Sequence, residues 1–206
     1  MIWLVEDATS VELSDTLGVT YKTAWLIGHK LRDALTQESN EHQLSGMVAV
    51  TGGIYGWRRA SSSLVMQPAD QPVAIGGTMD GDEEIREIKM EHLNKRESGN
   101  SRLISRFAHM KFSDFHVSDD AKAVRAFPYF GMNKLAPLSA VLMHALRWLD
   151  HTLQGIGPKH LQAYLNHQAF VFNIAKKAAK VVPYMLHLCA TREKITYREL
   201  TLTWSR

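Results

Sequence analysis

The chain has 206 residues, 45% of them hydrophobic and 22% charged, with a formal net charge of +3, enough for one ordinary globular domain and a small attachment. No apolar run reaches the roughly 20 residues that span a bilayer, and Met1–Val5 is too short for a signal-peptide core before Glu6 and Asp7 follow, so a cytoplasmic protein is expected. The only cysteine, Cys189, excludes an intramolecular disulfide and a cysteine-based zinc site, the ten histidines show no cluster at ligand spacing, and the mild positive charge is compatible with nucleic acid without specifying it.

Residues 10–35 carry the clearest local signal. Ser10 is placed to cap a short helix with Leu13 and Leu17 on one face. Gly18-Val19 breaks it, because glycine accepts the positive φ of a tight turn. Thr20 then caps a second helix whose buried side reads Ala24, Ile27, Leu31 and Leu35 at helical steps. Two helices joined by a glycine turn match a helix-turn-helix. The opposite side of the second helix carries Lys22, Trp25, His29 and Arg32. Such a stripe suits the major groove, where cations meet phosphates and the first helical residues meet base edges. It equally suits an amphipathic helix with a solvated basic face.

Beyond the polar stretch Gln37–Gln43, the pattern changes to strands. Met47–Thr51 is short, β-prone and bounded by Gly46 and Gly52-Gly53, and residues 58–71 read as a loop. Pro72–Ile75 is a second strand ending at Gly76-Gly77, and Asp80-Gly81-Asp82 turns into a third at Ile85–Met90. A helix is predicted over Ser101–Met110 with Leu103, Ile104 and Phe107 inward, then a fourth strand, Phe115-His116-Val117, stopping at Ser118-Asp119-Asp120. Helices follow at about Leu138–Leu149, with Val141, Leu142, Ala145 and Leu149 in one stripe, and from Gly157-Pro158, with Leu161, Leu165, Ala169 and Phe172. Strands, a crossover helix, a further strand and closing helices suggest an α/β domain.

Several stretches, in order, resemble the ISXO-like group of bacterial insertion-sequence transposases. They are Leu17–Trp25, Leu44–Val50, Val117–Asp119, Gly157–Leu165 and Phe170–Asn173, together covering about residues 10–175. The resemblance implies a helix-turn-helix over residues 1–43 and an RNase-H-like core, a mixed sheet with flanking helices, over 44–180. A helical tail would occupy 181–206. It also implies a zinc ribbon upstream of residue 10, for which the chain starts too late. The implied partner is double-stranded DNA at the element's terminal inverted repeats, bound through Tyr21, Lys22, Thr23, Trp25, His29 and Arg32. A homo-oligomer acting on paired DNA ends is also implied.

Members of this group cleave and join strands with two divalent ions, Mg²⁺ or Mn²⁺, held by acidic residues. Hard cations take oxygen ligands, and two of them side by side need several negative charges. Carried over residue by residue, the first catalytic Asp falls on Thr51 and the acidic residue that often follows it on Gly52. The second falls on Asp119, the implied metal ligand, and the third near His144, with the usual basic neighbour displaced to Arg147. Thr51 is neutral, and a histidine nitrogen suits zinc better than Mg²⁺. Asp119 can also be read as a turn aspartate, and His144 as a half-buried helix histidine. Neither Asp120, Asp80, Asp82 nor Asp150 is placed to substitute. The expectation is a transposase-family protein with impaired catalysis, or a DNA-binding regulator derived from one.

Overall fold

A computed structural model of the protein describes residues 9–56, 65–80, 84–98, 105–126, 136–177 and 181–202. Two helices lead, α1 (Ser10–Leu17) and α2 (Tyr21–Glu41). The strands β1 (Met47–Tyr55), β2 (Gln71–Met79) and β3 (Ile85–His92) follow, then a short α3 (Lys95–Ser98), α4 (Arg106–His116) and β4 (Ala123–Ala126). The chain closes with α5 (Ala136–His151), α6 (Pro158–Lys177), α7 (Val181–Thr191) and α8 (Tyr197–Leu202).

The turn between the first two helices forms as its residues dictate. Gly18 adopts φ 63° and ends α1, and the Thr20 hydroxyl accepts from the Thr23 N–H to cap α2. The cap of α1 is Thr9 rather than Ser10. Its hydroxyl accepts from the Glu12 N–H while the Glu12 carboxylate accepts from the Thr9 N–H, so two otherwise orphaned donors are satisfied together. Helix α2 also continues through Gln37–Glu41, where polarity alone suggests a break, because those side chains find partners on the segment that follows α7.

The sheet order is β3-β2-β1-β4, with β1, β2 and β3 antiparallel in sequence and β4 parallel to β1. The fold is therefore mixed α/β. Both inner strands run through glycine pairs that the sequence suggests as their ends. A Cβ on Gly76 would lie 2.4 Å from Phe112, and one on Gly77 would lie 2.9 Å from Leu138. These glycines mark the places where helices press onto the sheet, not strand ends.

Helices cover both faces. On one, Ala49, Tyr55, Val73, Ile75, Ile88 and Met90 pack against Leu142, Ala145 and Leu149 of α5 and Leu161, Leu165 and Ala169 of α6. On the other, Val48, Val50 and Ala74 pack against Leu44, Leu93, Ala108, Phe112 and Val117. Each aliphatic side chain fully buried this way contributes about 1.5–3 kcal/mol. The stripes predicted for α5 and α6 match these contacts, with Val141 and Phe172 half-buried at their edges.

The segment around α4 differs from expectation. The Ser105 hydroxyl accepts from the Ala108 N–H and sets a helix that runs on to His116. Phe115 and His116 are thus its last residues, not a strand, and only Val117 forms an isolated parallel bridge, to Leu44. Phe112 turns inward, whereas Phe107, expected inward, is 59% exposed. Leu103 and Ile104 lie outside the described residues. The C-terminal segment packs back on the first helices, with Met185 and Leu188 of α7 burying Leu35 of α2.

Candidate nucleic-acid interface

Helix α2 decides what the α1–α2 unit can present. Its buried residues are Ala24, Gly28, His29, Arg32, Ala34 and Leu35. One of the helices packed on α2 is α6. His29 lies 4.5 Å from the His160 ring and edge-on to Tyr164 at 5.8 Å, and the Arg32 guanidinium sits 3.9 Å above the Tyr164 ring. Trp25 closes the cluster, with ring centres 4.1 Å from His29 and 5.5 Å from His160.

The predicted stripe Lys22–Trp25–His29–Arg32 is therefore not one solvent face. His29 is 3% and Arg32 1% exposed, so neither can reach DNA in this fold. Burial, reinforced by the charge of Arg32 and by His160, pushes the His29 imidazole down to about 3 and keeps it neutral. Burial also lowers Arg32 and His160. Tyr21, Lys22 and Thr23 remain exposed at the start of α2, as predicted, and Trp25 is half-buried. Lys30 joins them on the open side and was missed by the sequence reading. The four-residue steps from Lys22 through Leu26 to Lys30 were the available signal.

The C-terminal helices border this open side. The Lys22 ammonium lies 5.0 Å from the centre of the Tyr197 ring on α8. Gln37 donates to the Glu193 carbonyl at 3.0 Å and accepts from the Glu193 N–H at 3.2 Å. The surface open to a groove is thus the first turn of α2 together with Lys30.

The three positions matched to metal chemistry do not converge. Thr51 sits in mid-strand, 2% exposed, pointing by alternation to the same face as Ala49 and Tyr55. Asp119 lies exposed in a turn before β4 rather than at a strand end. That turn is tied to the chain leading into β1: the Ser118 N–H donates to the Leu44 carbonyl at 2.8 Å and the Lys122 N–H to the Gly46 carbonyl at 2.9 Å. Because Ala123 pairs with Met47, Thr51 lies four residues beyond that pairing, about 13 Å at the rise of a strand. His144 faces solvent on α5, on the side away from buried Leu142 and Ala145. One carboxylate, one buried hydroxyl and one remote imidazole do not make the oxygen-rich cage that Mg²⁺ or Mn²⁺ needs. Among the described residues no three His, Cys, Asp or Glu side chains approach closely enough to share an ion. Asp80 is held by the Arg86 guanidinium, and Asp82 lies outside the described residues.

Compared with known protein families, curated proteins and solved structures, the chain matches none. Among the described residues no helix is long and apolar enough to cross a membrane.

Proposed function

We propose that the protein is a transposase-derived DNA-binding protein with an RNase-H-like core that does not cut DNA. The observation carrying this reading is Thr51, a neutral, buried residue where the resemblance demands a metal-binding carboxylate, with Asp119 in a turn beside the chain that leads into β1. Supporting the fold is the sheet order β3-β2-β1-β4, three antiparallel strands and a parallel fourth with helices on both faces. Supporting the DNA reading is the α1–Gly18–α2 unit, which leaves Tyr21, Lys22, Thr23 and Lys30 exposed. Lysines there neutralise phosphates, and the first turn of α2 is the part a groove-reading helix inserts.

The test is a mobility-shift assay with duplexes taken from the DNA flanking the gene, alongside a cleavage assay with Mg²⁺ or Mn²⁺. Binding should weaken with salt, and Lys22→Ala and Lys30→Ala should each reduce the salt slope by about one. No 3′-end cleavage is expected. Absence of any shift at low salt would remove the DNA reading. Metal-dependent cleavage abolished by Asp119→Ala would show that the core still cuts.

A further inference from the structure

A cleft of about 480 Å³ opens beside the α1–α2 unit. Its walls are the start of α1, Tyr21 and Trp25 on α2, residues 152–156 between α5 and α6, and His160 and Tyr164 on α6. Among the described residues no carboxylate lines it. Tyr164, 4% exposed, and half-buried Trp25 both line it, bringing a hydroxyl and an indole N–H to its wall. A few polar groups set among rings in a concave wall are what orients a small planar ligand.

The cleft is preformed. The wall between α5 and α6 bends through Gln154 at φ 53°, a left-handed conformation uncommon outside glycine, and Gly155 at φ 91°. The Ile156 N–H donates to the Tyr55 hydroxyl at 2.6 Å and the Gly155 N–H to the Leu149 carbonyl at 3.0 Å, fixing that wall to the sheet and to α5. Arg32 over the Tyr164 ring holds the opposite wall.

We infer that this cleft accepts an unpaired nucleobase of a DNA strand held by α2. The inference rests on the DNA-binding reading. Its volume suits a nucleotide, and its rings suit the π-face that every base carries. The Tyr164 hydroxyl and the Trp25 N–H can bond the acceptors and donors of a base edge. Lys22 and Lys159, next in sequence to the lining residues Tyr21 and His160, place positive charge where the attached phosphates would run. A base locked in a duplex cannot enter, so the ligand is a single-stranded end.

The test is fluorescence anisotropy with three labelled oligonucleotides: a blunt duplex, the same duplex with a short 3′ overhang, and that overhang made abasic. The overhang should tighten binding about tenfold. The abasic overhang should lose the gain, as should Tyr164→Phe and Tyr21→Ala, with thermal melting of both variants retained. Equal affinity for all three DNAs, with binding to each, overturns the inference and leaves the DNA reading standing. If no duplex binds, the DNA reading fails, and titration with deoxynucleoside monophosphates decides the cleft. Saturable quenching of tryptophan fluorescence, lost in Trp25→Phe, supports it; no saturable quenching overturns it. Binding seen only after deletion of residues 1–8 would assign the cleft to the chain's own N-terminus and overturn the inference.

Discussion

The two ends of α2 solve the same packing problem in opposite ways. Near its start the helix meets α6 through rings, and the Nε2 of buried His29 has no hydrogen-bond partner among the described residues. Near its end the helix is held by hydrogen bonds and ion pairs. Glu38 accepts from the Tyr184 hydroxyl at 2.5 Å and from Arg192, which also donates to Glu41 at 2.6 Å. The Lys89 ammonium donates to the Ser39 and His42 carbonyls, satisfying acceptors that a helix end leaves open. Asn166 donates to the Thr36 hydroxyl at 3.0 Å. The C-terminal half is tied to the rest of the fold by hydrogen bonds and ion pairs and serves architecture. The N-terminal half keeps unused hydrogen-bonding capacity next to a cleft, and binding capacity of that kind is costly to bury without a use.

The largest blow to this contrast is Tyr164→Ala, which removes the ring under Arg32 and beside His29 and Trp148. It should cost about 3–5 kcal/mol in urea unfolding, as loss of a buried aromatic does. Acid comes next. The His29 imidazole takes a proton near 6.5 when unfolded but only near 3 when folded. Stability is therefore full above 6.5 and falls progressively as the pH drops towards 3, by several kcal/mol for a shift of this size. Thermal melting between pH 7 and 4 should show the decline, and His29→Leu should flatten it.

At the other end Glu38 titrates in a lower window. Burial raises it, but the hydrogen bonds from Tyr184, Arg192 and His42 prevail and hold it at about 2, against 4.5 unfolded. Its contribution is present above 4.5 and is lost as the pH falls towards 2, so the aromatic half fails first in acid. The smallest effect is Tyr184→Phe, which deletes one donor to Glu38 while Arg192 keeps the carboxylate paired. About 1 kcal/mol is expected by denaturant titration.

Much of the architecture was legible in the chain. Gly18 and Thr20 define the first turn by local chemistry alone, and the apolar steps of α5 and α6 name the residues that meet the sheet. The misreadings share a cause. His29 and Arg32 look like groove-facing residues until Tyr164 and His160, far away in sequence, supply rings to bury them. Phe115–Val117 looks like a strand because its residues are β-prone, but the Ser105 cap starts a helix whose hydrogen bonds continue through it. Asp119 was placed at a strand end on that same reading and moved with it. Lys30 follows from a simple step of four, whereas the cleft depends on three distant segments and has no local sequence mark.

Thr51 has a consequence for reversibility. Aspartate at this position would bury a carboxylate among Ala49, Ile75 and Tyr55 without a cation to meet it, at a penalty of several kcal/mol. A domain typically has only about 5–15 kcal/mol of stability to lose. Thr51→Asp therefore endangers the fold before it could gain an ion, and Asp119 and His144 would still lie elsewhere. On the descent proposed above, packing acts as a ratchet: a core that closes around a neutral side chain leaves no single-step route back to metal chemistry.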